Sequence, residues 1–297
     1  MDRGELLSRE ITGQRLLAAS ARHSFDPDVA VDWNAPLLDA TPFMPLQRVS
    51  LYGTQLWEQL TPEQRVELSK HEIASVMSVG LWFEVILMQM LCRYVYDRDL
   101  RDAHPQYALT ELGDETRHSV MFARAVAKLE CPDYRPGPAL HQLGRLFAHT
   151  VASASMFASV LVAEEVTDRL QREMMHDESL QPLTRTISRI HVIEEGRHVR
   201  YAREELARLV PRLRRPELEW HRYLTSVAAY LIIDNLIQSR VYRAVGIDPR
   251  LGRKVALRNP HHQQTRRWMG EKVTSFLDEV GMIGSTRPLW RKAHLVA

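Results

Sequence analysis

The chain has 297 residues, a hydrophobic content of 45% and a net charge of +2, so it contains enough apolar residues for a sizeable core. Its basic residues are scattered, which argues against a nucleic-acid tract or a polybasic membrane patch. Cys92 and Cys131 are the only cysteines, so no disulfide framework is expected and a reducing, cytoplasmic location is predicted.

The N-terminal part of the chain is predicted to cover the body of the protein. MDRGELLSRE lacks the apolar core of a signal peptide, and about 2–22 is polar and amphipathic. Residues 24–46 are rich in Pro and Asp, which favours an extended arm. TPEQ at 61–64 predicts a capped helix start, with Thr61 as N-cap, and that helix should continue to about Tyr96.

The rest of the chain is also predicted to be helical. Helices are expected at about Pro105–Leu129, 139–176, Pro182–Leu209, Glu217–Val245 and 260–280. No alternating strand pattern occurs, so the predicted class is all-α. The longest weakly polar stretches, 151–163 and 225–237, are shorter than the roughly 18 residues of a membrane span. We therefore predict neither a membrane nor a nucleic-acid partner.

An internal repeat indicates how the helices are arranged. DETRH at 114–118 and EEGRH at 194–198 share an acid followed by Glu-x-Arg-His. Glu84 lies 31 residues before the glutamate of the first motif, and Glu164 lies 31 residues before that of the second. Two such helix pairs predict a ferritin-like four-helix bundle at about 61–210. In a single domain of residues 1–297, an arm (1–60) and C-terminal helices (216–297) would pack on this bundle.

The repeated unit is typical of a two-metal carboxylate site. One Glu from each of two helices and a Glu-x-x-His from each of the other two can hold two iron or manganese ions. Four carboxylates would neutralise two divalent cations, and imidazole and carboxylate ligands together suit these metals. The predicted roles are Glu115 and Glu195 as bridges, Glu84 and Glu164 as terminal ligands, and His118 and His198 as one ligand to each metal.

Some of these roles have alternatives. A lone Glu-x-x-His is usually a solvated pair, and only its repetition makes the pattern specific. Glu165 competes with Glu164, although the repeat spacing favours Glu164. Asp114 and Glu194 are either exposed acids or acceptors for the outer N–H of the ligand imidazoles, and we favour the second interpretation because such sites need their tautomers fixed.

His191 is one histidine more than a symmetric site requires, because its counterpart in the first repeat is Glu111. It is either a seventh ligand or a buried histidine with a hydrogen bond. Its seven-residue separation from His198 corresponds to about 10.5 Å along a helix, which leaves both interpretations open. A zincin is excluded because that motif is His-Glu-x-x-His, which does not occur here.

Several segments resemble the di-iron N-oxygenases typified by p-aminobenzoate N-oxygenase: DPDVAVDW, SLYGTQLWEQLTPEQR, GLWFE, DETRH, LVAEEVTDRLQ, RIHVIEEGRHVRYAR and NPHHQ…FLDEVGMI. The resemblance implies two iron ions and seven ligands: Glu84, Glu115, His118, Glu164, His191, Glu195 and His198. Manganese, which suits the same donor set, is the expected substitute. The resemblance also implies a homodimer in specialised metabolism that oxidises an amine with O₂ and an external electron donor.

Other functions are compatible with the same ligands. A di-iron hydroxylase or desaturase would act on another small metabolite, and a ferritin-like ferroxidase would handle iron itself. Length argues against the ferroxidase, because it has no need of the arm or the C-terminal helices. A radical-generating subunit would need a tyrosine beside the metals, for which the candidates are Tyr94, Tyr107 and Tyr201.

The substrate pocket is expected between the ligand helices and the predicted fifth helix. The sequence SVAAYLIIDNLI in that helix is apolar enough to line a pocket. Tyr230 and Asn235 are its candidate polar contacts with a substrate.

Overall fold

Helices dominate residues 8–297, the part of the chain that the computed structural model describes, and this range contains no strand. The α-helices are α1 (Arg9–Arg22), α2 (Pro27–Ala30), α3 (Gln55–Glu58), α4 (Pro62–Tyr96), α5 (Ala103–Lys128), α6 (Pro138–Thr150), α7 (Ser153–His176), α8 (Pro182–Leu209), α9 (Arg215–Asn235), α10 (Pro249–Arg258), α11 (Pro260–Glu279) and α12 (Arg287–Lys292). The predicted all-α class is confirmed. Residues 2–7 of the predicted N-terminal segment lie outside the described range.

The core of the fold is a bundle in which α4 packs against α5, and α7 packs against α8. The predicted capping box opens α4: the N–H of Gln64 donates to Thr61 Oγ1 at 3.2 Å, and the N–H of Thr61 donates to Gln64 Oε1 at 3.0 Å. Helix α8 has the predicted bounds, and α5 begins two residues earlier than predicted. These four helices carry both copies of the repeat.

The single helix predicted at 139–176 is wrong, because α6 and α7 are separate helices. Val151 is extended and Ser153 has a φ of +56°, which turns the chain between them. Arg93 of α4 donates to the carbonyl oxygens of Ala148 and Val151, at 3.3 Å for Val151. This arginine occupies carbonyls at the end of α6, which then lies against α4.

The predicted fifth helix is also too long. Helix α9 ends at Asn235, and 239–245 form a 3₁₀ helix. Ser75 of α4 binds the chain where α9 unwinds: its Oγ donates to Leu236 O at 2.9 Å and accepts from the N–H of Gln238 at 2.9 Å. Helix α11 matches the prediction at 260–280, whereas α10 and α12 were not predicted.

Residues 24–46 of the N-terminal arm lie over the bundle and are largely non-helical, as predicted, except for the short α2. Their backbone is fixed by buried side chains of the bundle. The N–H of Phe43 donates to Ser69 Oγ at 3.1 Å, and the N–H of Leu38 donates to Gln181 Oε1 at 3.0 Å.

Helix α4 corrects the prediction about the longest apolar stretch. By length and composition it is long and apolar enough to cross a membrane, unlike 151–163 or 225–237. However, 67% of its most apolar window is buried within the fold. Glu72 and Glu84 lie on its buried side, so it has the character of a central bundle helix.

Candidate metal centre

Helices α4, α5, α7 and α8 bring the repeated acids and histidines together in the bundle interior. All are buried, and ligand atoms lie within 4.8 Å of one another in several overlapping triplets. The triplets are Glu84–His118–His191, Glu115–His118–Glu195, Glu164–His191–Glu195, Glu84–Glu115–Glu164 and Glu111–Glu115–His198. The seven predicted ligand residues therefore form one continuous cluster.

The two Glu-x-x-His motifs face each other across the bundle. His118 Nδ1 lies 3.0 Å from Glu115 Oε2 and 3.3 Å from Glu195 Oε1. His198 Nδ1 lies 2.8 Å from Glu115 Oε1 and 3.1 Å from Glu195 Oε1. Both glutamates thus lie between the two imidazoles, where bridging carboxylates belong.

The outer nitrogens of these imidazoles bind acids from the opposite repeat. His118 Nε2 lies 2.8 Å from Glu194 Oε2, and His198 Nε2 lies 3.2 Å from Asp114 Oδ2. An ionised carboxylate only accepts, so each Nε2 donates a proton outward. Burial alone would lower the pKa of both imidazoles, but the surrounding carboxylates outweigh burial and raise it, and a bound cation would replace the proton on each Nδ1. Asp114 and Glu194 therefore occupy the positions of acceptors that fix imidazole tautomers.

Two arginines and the backbone of the N-terminal arm bind these outer acids. Arg197 Nη2 donates to Asp114 at 3.1 Å, and Arg117 also donates to Asp114. Burial alone would raise the pKa of Asp114, but the bonds from His198 and Arg197 outweigh burial and lower it. The arm adds the N–H of Phe25, which donates to Glu194 Oε1 at 3.0 Å.

His191 has one nitrogen bonded and one unpaired. Its Nδ1 lies 2.8 Å from Gln171 Oε1, which can only accept, so Nδ1 carries the proton. Burial lowers the pKa of His191 to about 4, so the ring is neutral. Its Nε2 lone pair lies 3.5 Å from Glu84 Oε1 and 3.6 Å from Glu195 Oε1. A lone pair facing two ionised carboxylates is unfavourable unless a cation or a proton lies between them.

Unpaired donor atoms show that the residues suit metal ions. Within residues 8–297, Glu84 Oε2, Glu195 Oε2 and His191 Nε2 are buried without a hydrogen-bond partner. Burial, followed by the charges of Glu115 and Glu164, raises the pKa of Glu84 well above its ordinary value. Buried polar atoms of this kind are costly unless paired, and divalent cations would pair all of them.

Glu164 and its neighbour Glu165 point in different directions. Glu164 belongs to the cluster, where burial and then the charges of Glu195 and Glu115 raise its pKa. Glu165 instead binds Arg203, with 2.7 Å between Glu165 Oε1 and Arg203 Nε. Glu164 is therefore the one that faces the other predicted ligands.

Glu111 is a member of the cluster that the sequence analysis did not assign as a ligand. It is buried beside Glu115 and His198, and burial raises its pKa to about 8. Tyr107, a candidate radical tyrosine, lies on the same helix α5, and its hydroxyl has no hydrogen-bond partner among the described residues. The sequence could have indicated this position, because Glu111 lies one helical turn before Glu115 and therefore on the same face of α5.

The other candidate tyrosines for a radical subunit lie around His104. Tyr201 OH is 3.2 Å from His104 Nδ1, and Tyr94 OH is 3.5 Å from the same atom. His104 Nε2 in turn lies 3.2 Å from Glu205 Oε1. Their contacts are those of a packed hydrogen-bonded group.

Two cavities lead to the cluster. The inner cavity is bounded by Glu84, Glu164, His191, Gln171, Met77 and Phe122, among others. The outer cavity lies between α4, α6, α7 and α9 and is bounded by Trp82, Met90, Phe147, Val160, Leu231 and Ile232, among others. Both cavities are lined by Phe83, Ala163 and Glu164. Glu164 is therefore the acid of the cluster that both cavities contact.

The predicted polar contacts on α9 are placed elsewhere. Neither Tyr230 nor Asn235 lines the inner or the outer cavity. The ring of Tyr230 lies under Lys292, and Asn235 Nδ2 donates to Leu231 O at 2.8 Å. The helix does line the outer cavity, as expected, but through apolar side chains on another face, including Ala228.

Comparison with known proteins identifies the family. The model of the family described as p-aminobenzoate N-oxygenase AurF matches residues 7–281. Uncharacterised proteins of Mycobacterium tuberculosis (strain H37Rv) and Mycobacterium bovis are each 30% identical over 216 residues, covering 69% of this chain and 62% of the relative. The chain thus matches less than two thirds of the length of these relatives. It belongs to the AurF family.

Proposed function

We propose that this AurF-family protein is a di-iron oxygenase that oxidises the amine nitrogen of a small molecule. The observation that carries the proposal is the set of buried, unpaired donor atoms on Glu84, Glu195 and His191, which face one another beside a cavity. Two iron ions would supply the electrons and open coordination positions that reduction of O₂ requires.

Seven residues would hold the metals: Glu84, Glu115, His118, Glu164, His191, Glu195 and His198. Asp114 and Glu194 hold the proton on the outer nitrogens of His198 and His118, which keeps each Nδ1 free for a metal. Both acids are buried, and the arm binds Glu194 through the N–H of Phe25. The inner cavity leaves space for a substrate beside Glu84 and Glu164.

The proposed reaction inserts one oxygen atom of O₂ into an amine N–H bond to give a hydroxylamine. The other oxygen atom leaves as water, which requires two electrons and two protons. The electrons come from an external donor. We propose that the protein works as a cytoplasmic homodimer, without nucleic acid or membrane, and that manganese can replace iron.

A hydroxylase or desaturase is the second candidate, because the apolar outer cavity would also hold a substrate with a reactive C–H bond. A ferroxidase is disfavoured by the same feature. Iron ions would need acidic or polar groups along their route, whereas the lining of this cavity is apolar except for Trp82, Ser159 and, at the cluster itself, Glu164.

The test combines metal analysis with product detection. Protein loaded anaerobically with Fe(II) should hold about two iron ions per chain and, with O₂ and a reductant, convert an amine to an N-oxidised product. Glu164→Gln should lose iron and activity. Glu165→Gln is the matched control, because Glu165 is equally buried but faces Arg203. A single zinc ion per chain, unaffected by Glu164→Gln, would contradict the proposal.

A further inference from the structure

The outer cavity offers very few polar atoms to a ligand. Sixteen residues line it, and only Trp82, Ser159 and Glu164 among them carry polar side-chain atoms. The indole N–H of Trp82 is already donated to His141 Nδ1 at 3.1 Å. Along the described part of the wall there is no lysine, arginine or histidine.

This wall is a poor environment for an anionic group. A carboxylate that enters it loses its hydration and meets no cation in return, which is strongly unfavourable. At the inner end, Glu164 and Glu84 present carboxyl groups of their own. An anionic substrate would therefore gain nothing from either end of the cavity, whereas an apolar body would gain from burial.

The outer cavity opens at the surface of the protein. The space between its lining side chains is about 600 Å³ when the open solvent at its mouth is included. Leu143 on α6 is 44% exposed at that mouth, so the entrance is apolar as well. Ala163, which has only a methyl side chain, lines both this cavity and the inner cavity, next to Glu164.

Ser159 is the one free polar group along the wall. Its buried hydroxyl has no hydrogen-bond partner in residues 8–297. A hydroxyl can donate one bond and accept others, so it suits a neutral polar atom of a ligand. It does not supply the charge that a carboxylate needs.

We propose that the substrate of this site is a predominantly hydrophobic amine that carries no anionic group. Its apolar body lies in the outer cavity between α4, α6, α7 and α9. Its nitrogen reaches past Ala163 to the acids of the cluster, and a neutral polar substituent binds Ser159. This inference rests on the proposed function and restricts it to a substrate class different from aminobenzoates.

The test compares two ligands of similar size, 4-ethylaniline and 4-aminobenzoate, by calorimetric titration of the Mn(II)-loaded protein. We expect 4-ethylaniline to bind at least ten times more tightly. Leu231→Arg, on the half-buried rim of the cavity, should shift the ratio at least tenfold toward 4-aminobenzoate. Leu140→Lys, elsewhere on the rim, should act in the same direction if Leu231→Arg fails to fold.

Leu224→Arg is the matched control, because Leu224 is a half-buried residue of α9 outside the cavity. It should leave the ratio unchanged, and all variants should keep their manganese. Equal or tighter binding of 4-aminobenzoate to the unchanged protein, or no binding of either ligand, would overturn the inference. If 4-ethylaniline binds but the iron-loaded protein forms no N-oxidised product, the proposed function fails and the substrate class stands. If the iron-loaded protein oxidises 4-aminobenzoate in preference to 4-ethylaniline, the proposed function stands and the substrate class fails.

Discussion

The two repeats build the same half-site from the same residues, but their surroundings differ. Each contributes a lone Glu and a Glu-x-x-His, and each supplies the acid that binds the other's histidine. They differ one helical turn before the bridging Glu, where the first has Glu111 and the second has His191. The ring of His191 lies 4.7 Å from that of His118, whereas Glu111 lies beside His198.

This difference coincides with the side of the centre that the inner cavity reaches. The inner cavity contacts His191, Glu84 and Glu164, and neither Glu111 nor His198 lines it. The residues that the repeats share thus supply six of the seven proposed metal ligands, and His191, which breaks the symmetry, is the seventh and lines the inner cavity. The predictions below test first what the repeats share and then what separates them.

The largest expected effect is that of metal removal, to which both repeats contribute. Without cations, Glu84 and Glu164 must stay protonated or repel the bridging acids. A ligand at a thousand times its Kd stabilises the folded state by about 4 kcal/mol per site. Two ions should thus raise Tm by roughly 15–30 °C. Scanning calorimetry with and without Fe(II) under anaerobic conditions measures the shift, and equal midpoints would mean that the carboxylates are solvated.

Much of this shared centre follows from the sequence. The 31-residue spacing and the Glu-x-x-His pairs predict which side chains converge, because helix periodicity fixes the faces on which they lie. The break between α6 and α7 was missed because Val151 and Ser153 are neither Pro nor Gly, and Arg93 of a distant segment binds the carbonyls there. Tyr230 was misplaced because tertiary packing decides which face of α9 meets the cavity.

A buried acid with no counterpart in the second repeat should produce the next largest effect. Glu72 of α4 accepts from the N–H of Ser50 at 3.0 Å, and the residue 80 positions later is Ala152. Burial raises the pKa of Glu72 from 4.5 to about 7. The folded state therefore favours the protonated acid, and stability falls as the pH rises from about 4.5 through 7.

The matching variant is Glu72→Gln, which keeps an acceptor for Ser50 and cannot ionise. It should be as stable as the unchanged protein at pH 5 and more stable by about 2–3 kcal/mol at pH 8. Urea unfolding of the metal-loaded proteins at both pH values measures this difference. Parallel pH profiles for the two proteins would show that Glu72 ionises as readily in the folded chain as in the unfolded one.

Asp114 and Glu194 each bind the histidine of the other repeat. Their substitution should lower metal affinity by smaller and nearly equal amounts, since they are equivalent in the two repeats. Asp114→Asn and Glu194→Gln keep the size of each side chain but weaken the bond to the outer N–H of His198 or His118. Loss of such a partner typically lowers metal affinity about 10–100-fold. Competition with a chelator measures both affinities. An effect confined to one variant would show that the repeats are not equivalent at this level.

The smallest expected effect separates the two residues at which the repeats differ. His191→Ala removes a nitrogen that faces Glu84 and Glu195, whereas six other proposed ligands remain, so we expect metal affinity to fall about tenfold, or about 1.4 kcal/mol. The optical spectrum of the Co(II)-loaded protein should also change, because a ligand atom has been lost. Glu111→Gln, the control from the first repeat, should leave both nearly unchanged, since Glu111 is not one of the seven proposed ligands and glutamine keeps the size of its side chain. If His191 were only a packed histidine, His191→Ala would instead cost about 1–3 kcal/mol of unfolding free energy through a cavity and the lost bond to Gln171, with an unchanged Co(II) spectrum. That result would remove His191 from the ligand set and, with it, the main asymmetry of the centre.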